Sequence, residues 1–176
     1  MKKIFFAALA PMLFPSADAV AQVPHFADAI EYNDYIVNQQ DLIGIKIKVF
    51  VDETSSEYST KEMEIKAAED GEQQAAASAA LVRKMPAFNG DTVLRDAAAD
   101  LFEFYERILG NEYIDLVNLM WDEALSTEEY NAQYQKLLNS ITERELIYDN
   151  AFSKAQENFA KKNDFELVDP EEDDDE

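Results

Sequence analysis

Pro86 divides this chain into two helical halves. Proline disfavours helical geometry in the residue before it, so a helix arriving from the N-terminal side must stop by Met85. Asn89-Gly90 follows as a turn signal. Asp91 or Thr92 can then cap a new helix. In the run from Thr92 to Trp121, Leu94, Ala98, Leu101, Tyr105 and Ile108 recur at steps of three and four. That spacing lays one apolar face along a helix. Met85 to Asp91 therefore predicts a chain reversal with the densest core stripe behind it. Only 4 Gly and 5 Pro occur in 176 residues, too few turn formers for an all-β design and well suited to long helices. The length fits one domain with a real core.

The first residues read as an address. Met1-Lys2-Lys3 is basic, Ile4 to Phe14 is apolar, and small residues lead to Ala19-Val20-Ala21 before Gln22. This is the signal-peptide pattern, with cleavage after Ala19 or Ala21, the second preferred. Pro11 and Pro15 argue against a core helix there. No later apolar run approaches the roughly 20 residues of a membrane span. The expected organisation is a signal peptide over 1–21, a helical domain over 22–168 and a disordered acidic tail over 169–176.

Four helical elements follow. The first runs from His25 to about Val51, with Phe26, Ala29, Tyr32, Ile36, Ile43, Ile47 and Phe50 on its apolar side. Within it, Ile43, Ile45, Ile47, Val49 and Val51 alternate as a strand would. A strand needs a partner, and no second convincing strand is present, so the helix is preferred. Ser59 and Glu62 form a capping-box pattern for the second helix, which runs to about Lys84. Its thin face holds Met63, Ala67, Ala68, Ala75, Ala79, Val82 and Met85, and Gly71 interrupts it. In the third helix the stripe falls out of phase after Gly110-Asn111, which predicts either a kink or a separate short helix from about Asn111. The fourth begins at a Ser126–Glu129 capping box, carries Tyr130, Tyr134, Leu137, Ile141, Tyr148, Phe152, Ala155 and Phe159, and ends near Lys162. Short connections between four helices predict an all-α, antiparallel up-down four-helix bundle.

The chemistry that is missing narrows the function. There is no Cys, so disulfides, iron–sulfur ligation and a lipidated N-terminal Cys are out of reach. His25 is the sole histidine, which removes the paired Glu-x-x-His of di-iron bundles and the usual zinc sites. It reads as a helix-start surface residue. No phosphate loop or activated-nucleophile motif occurs. The net charge of −22 disfavours nucleic acid and anionic lipid, and favours cations or basic partners. Glu103, Glu106 and Glu112 read as a solvated face. No catalytic residue, metal site or cofactor is expected, and the chain reads as no enzyme.

One run is unusual for a helix: Glu31-Tyr32-Asn33-Asp34-Tyr35-Ile36-Val37-Asn38-Gln39-Gln40 mixes two tyrosines with amides. Asn is a poor helix former. One reading is a polar network that fixes helix register. The other is a ligand pocket between helices, lined by Tyr32, Tyr35, Asn38 and Gln39 with tyrosines of the fourth helix. Arg95 and Arg107 are candidates for carboxylate pairs across helices.

Tyr32-Asn33-Asp34-Tyr35-Ile36, Met85-Pro86-x-Phe88-x-Gly90-Asp91, Leu94-Arg95-Asp96-Ala97 and Leu101-x-x-Phe104-Tyr105 resemble an uncharacterised family of exported helical surface proteins of the leptospiral type. The resemblance covers most of the chain after its first segment. It implies export and helical structure, and carries no reaction or catalytic residues. The expected function is a non-enzymatic helical bundle of the bacterial cell envelope, in periplasm or at the cell surface, binding a protein or envelope component. The alternative is a periplasmic binding module for a small polar ligand or cation.

Overall fold

The computed structural model describes residues 25–167, so the expected signal peptide and the expected disordered tail lie outside the described residues. All regular structure among the described residues is helical: α1 (Ala29–Thr54), α2 (Lys61–Arg83), α3 (Val93–Gly110), α4 (Glu112–Met120) and α5 (Thr127–Lys162).

Asp28 starts α1 by accepting a hydrogen bond from the Glu31 backbone N–H at 2.9 Å. The helix then runs unbroken through the strand-like segment. Ile36, Ile43 and Phe50 enter the core at helical spacing, which a strand would have denied them. The cap of α2 is Thr60, not Ser59. Thr60 Oγ1 accepts from the Met63 N–H at 3.3 Å, while Ser59 turns back and donates to Glu53 at the end of α1, 3.1 Å away. Gly71 does not interrupt α2; it is buried, and its missing Cβ makes room for Leu109 of α3. Met63 lies in solvent, whereas Ala67, Ala68, Ala75, Ala79, Val82 and Met85 are buried as the spacing predicts.

The reversal between α2 and α3 is a two-residue turn. Phe88 and Asp91 exchange both backbone hydrogen bonds at 2.9 Å. Asn89 (φ 51°) and Gly90 (φ 82°) sit in the left-handed region that such a turn demands. Asp91 Oδ1 accepts from the Val93 N–H at 2.9 Å, so it caps α3 although Thr92 holds the cap position. Carbonyls of the connection after α2 find partners too: Tyr32 Oη donates to Pro86 O at 3.0 Å and Arg95 to Met85 O at 2.9 Å. Tyr32 also packs its ring against Phe26, Phe88 and Phe159. Pro86 is thus the joint at which α1, α2, α3 and α5 meet.

After Gly110 the chain leaves helical geometry at Asn111 (φ −128°, ψ −76°), and α4 begins at Glu112. Asn111 Nδ2 donates to Arg107 O at 2.7 Å, which satisfies an orphan carbonyl at the end of α3. Leu116 and Val117 anchor α4, and Trp121 Nε1 donates to the buried Glu64 at 2.9 Å.

Phe102, Phe104, Leu101, Ile108 and Leu109 of α3 are fully buried and form the centre of the core. Side-chain pairs lock the helices around them: Gln39 with Ser78, Arg83 with Asp100 and Glu103, Tyr105 with Glu145, Arg107 with Tyr148. α5 opens with the expected capping box, Ser126 and Glu129 each bonding the other's backbone N–H. None of its residues before Ile141 is buried. Ser126→Ala should therefore act locally. The cap is worth about 1 kcal/mol, and amide exchange near Glu129 and Tyr130 should accelerate several-fold with the melting temperature nearly unchanged. A large drop in melting temperature would show that the first turns of α5 belong to the cooperative core.

Candidate functional site

The amide-rich run of α1 is split by helical geometry. At 3.6 residues per turn, Tyr32, Ile36, Gln39 and Ile43 share the core side. Tyr35 and Asn38 fall outside it, Tyr35 half-buried and Asn38 exposed, beside a shallow surface depression with His25 and Phe26. The tyrosines of α5 are elsewhere: Tyr148 stacks on Phe104, and Tyr130 and Tyr134 stack on each other. The expected interhelical pocket of Tyr32, Tyr35, Asn38 and Gln39 is therefore not formed. The amides fix register instead. Ser78 Oγ donates to Gln39 Oε1 at 3.0 Å, tying α1 to α2, and Gln156 donates to Asn33 at 3.0 Å, tying α5 to α1. Among the described residues, every fully buried polar side-chain atom has a hydrogen-bond partner.

The arginines also differ from expectation. Arg95 bonds its neighbour Asp96 as well as Met85 O, rather than bridging helices. Arg107 donates to Tyr148 Oη at 3.2 Å. The cross-helix carboxylate pairs belong to Arg83, which holds Glu103 at 2.8 Å and also Asp100, and to Arg144, which holds Glu112. Its bond to Arg83 holds the Glu103 carboxyl below the usual range. These pairs are partly exposed and orient helices more than they stabilise them. Arg83 was findable: it ends α2, and Asp96, Asp100 and Glu103 form one side of the helix that the turn folds back.

Three tyrosine hydroxyls are displaced upward by burial. Tyr32 reaches about 12. Tyr105 and Tyr113 move in the same direction, with Glu145 adding to the burial effect at both. A raised folded-state pKa gives stability that is complete below the unfolded value near 10 and is lost as pH rises toward the folded one. Unfolding stability should thus fall between pH 10 and about 12, and Tyr32→Phe should flatten that fall. An unchanged slope in Tyr32→Phe, measured by denaturant titration at each pH, would contradict the assignment of Tyr32 to it.

Two concave features lie at the surface. A cleft of about 530 Å³ separates α4 from α5, bordered by Asp115, Asp122, Lys136 and Leu137. A groove of about 1130 Å³ runs along the outer face of α1. Its far wall is the segment after α5. Asp164 takes a left-handed φ of 59° there, and the Phe165 N–H donates to Ala160 O at 3.2 Å, closing a Schellman turn. Phe165 then packs on Phe159 and brings Glu166 and Leu167 alongside α1. The groove exposes Ile30, Ile45 and Leu167, at 50%, 57% and 39% of their surfaces. Sequence patterning signalled this face only as the strand-like alternation around Ile45.

Among the described residues, no helix is long and apolar enough to cross a membrane, and no group of three or more His, Cys, Asp or Glu is placed to hold a metal ion. No protein family, curated protein or solved structure matches the chain.

Proposed function

We propose that this chain is an exported, non-enzymatic helical-bundle protein of the bacterial cell envelope that acts as a binding module through its surface. One observation carries the binding role: large apolar side chains of α1 and of the segment after α5 are exposed along one groove. Exposed apolar surface gathered in a concave patch with a polar rim is the mark of an interaction site. The basic start, apolar run and small residues before Gln22 support export. The motifs at Tyr32–Ile36 and Met85–Asp91, which resemble the leptospiral-type exported family, point the same way. The lack of Cys and the single His support a role without catalysis.

The architecture in this proposal is an up-down antiparallel arrangement of α1, α2, α3 and α5, with α4 as a short bend on α3. Residue pairings support it: as numbers rise along α2 from Gly71 to Arg83, their partners on α3 fall from Leu109 to Asp100. The same inverse order links α1 to α2 through Tyr32–Pro86 and Gln39–Ser78.

Cell fractionation with N-terminal sequencing tests the export half. A chain found beyond the inner membrane and beginning at Gln22, or at Val20, supports it. A cytosolic chain that retains Met1 overturns it.

A further inference from the structure

We infer that the groove on α1 receives a cationic amphipathic helix of a partner protein, an inference that rests on the binding role proposed above. Helix-in-groove recognition uses an apolar floor to take one face of the guest, with charges at the edge to orient it. The floor here is Ile30, Val37, Gly44 and Ile45, with Leu167 on the opposite wall. From Ile30 to Lys48 the groove follows α1 for roughly 27 Å at 1.5 Å per residue, the length of a five-turn helix.

Gly44 supplies an independent observation. Glycine inside a helix destabilises it by about 0.5–1 kcal/mol relative to alanine, so its place there asks for a compensating contact. Gly71 has one: a Cβ there would lie 3.1 Å from a Leu109 methyl, so α3 uses the missing side chain. At Gly44 a Cβ would meet nothing within 4 Å. Among the described residues, no group uses the gap. It lies in the groove floor, where it would let a second helix approach α1 closely.

Charge selects the occupant. Among the described residues, Asp34, Asp41 and Glu166 border the groove against one cation, Lys48. The whole chain carries −22. A second copy would bring like charge to an acidic rim, whereas lysines flanking an apolar stripe would meet complementary partners.

The test uses the full chain and a synthetic amphipathic helix of about 18 leucine and lysine residues, a length matched to the groove at 1.5 Å per residue. A control peptide has the same composition with its apolar residues scrambled around the helix. Calorimetric titration should show one site, binding the amphipathic peptide at least about tenfold more tightly than the scrambled one. Gly44→Leu should weaken binding by about tenfold or more while the melting temperature holds or rises, because the new side chain enters open space. Asp34→Asn with Asp41→Asn should weaken binding several-fold and reduce its salt dependence.

Equal affinity for both peptides, or binding untouched by Gly44→Leu, would overturn the inference by making the attraction diffuse charge. It would leave export, read by N-terminal sequencing, unaffected. A dimer in sedimentation that Gly44→Leu dissolves would give the groove to a second copy of this chain and equally overturn it. Conversely, a cytosolic chain that binds the peptide at Gly44 would remove the export proposal and keep the groove.

Discussion

Phe104→Ala should cost the protein about 3–5 kcal/mol of folding stability. Phe104 is fully buried, its ring stacked on Tyr148 with centroids 4.9 Å apart, and the Arg144 guanidinium lies 5.8 Å from its centroid on the way to Glu112. Truncation to alanine removes that ring and leaves a cavity between α3 and α5 that two anchored helices cannot close. Domains of this kind hold a net stability of roughly 5–15 kcal/mol, so the loss is a large share of the total. Urea unfolding followed by circular dichroism measures the loss directly. Trp121 gives a second probe, because its indole is tied to Glu64 at the other end of the core. A cost below about 1 kcal/mol, the range of surface substitutions, would mean that α5 does not pack on α3 as described.

The second large effect is expected at Gly71, a buried position of α2 that faces Leu109 of α3. A Cβ there lies 3.1 and 3.2 Å from the two Leu109 methyls. Gly71→Ala needs only a small retreat of a flexible side chain, and gains about 1 kcal/mol of helix propensity, so it should be close to neutral. Gly71→Leu adds three further carbons where the space is already used. Overpacking of this kind costs about 1–3 kcal/mol and should force α2 away from α3. The same substitution at Gly44 meets open space and should be neutral or stabilising. The two glycines lie in helix interiors, so propensity alone would give them the same sign. Opposite signs in thermal melts are the expected result; equal signs would show that the contrast in packing is wrong.

These two glycines also show what the sequence made legible and what it did not. Periodicity identified the helices and most of the core, because Leu94, Ala98, Leu101 and Ile108 could share a buried side only in a helix. Turn chemistry identified the reversal, since Asn89-Gly90 favours the left-handed angles found there. Local capping chemistry identified the start of α5 at Ser126. It missed the cap of α2 by one residue, because Ser59 and Thr60 are equally competent and Glu53 of α1 decides between them. Gly71 looked like a flaw in α2 because its reward, Leu109, lies on another helix.

The candidate site was less legible for the same reason. Tyr32, Tyr35, Asn38 and Gln39 are close in sequence but diverge around α1, and only the packing of α2 and α5 decides which of them are buried. The strand-like alternation from Ile43 to Val51 had a different cause. Ile43 and Phe50 meet the needs of the core, whereas Ile45, Val49 and Val51 are apolar beyond those needs and lie exposed. What reads as an ambiguity of secondary structure is the trace of a helix with apolar residues on more than its buried side. Ile45 carries that excess into the groove, beside a glycine that no group among the described residues packs against.

The proposed interaction runs along the outer face of α1. Amide chemical-shift mapping on isotope-labelled protein during titration with the leucine–lysine helix tests it most directly. Shifts should be concentrated at Ile30, Val37, Gly44, Ile45 and Leu167 and should be lost in Gly44→Leu. Shifts spread evenly over the acidic surface, or centred on the cleft between α4 and α5, would contradict it.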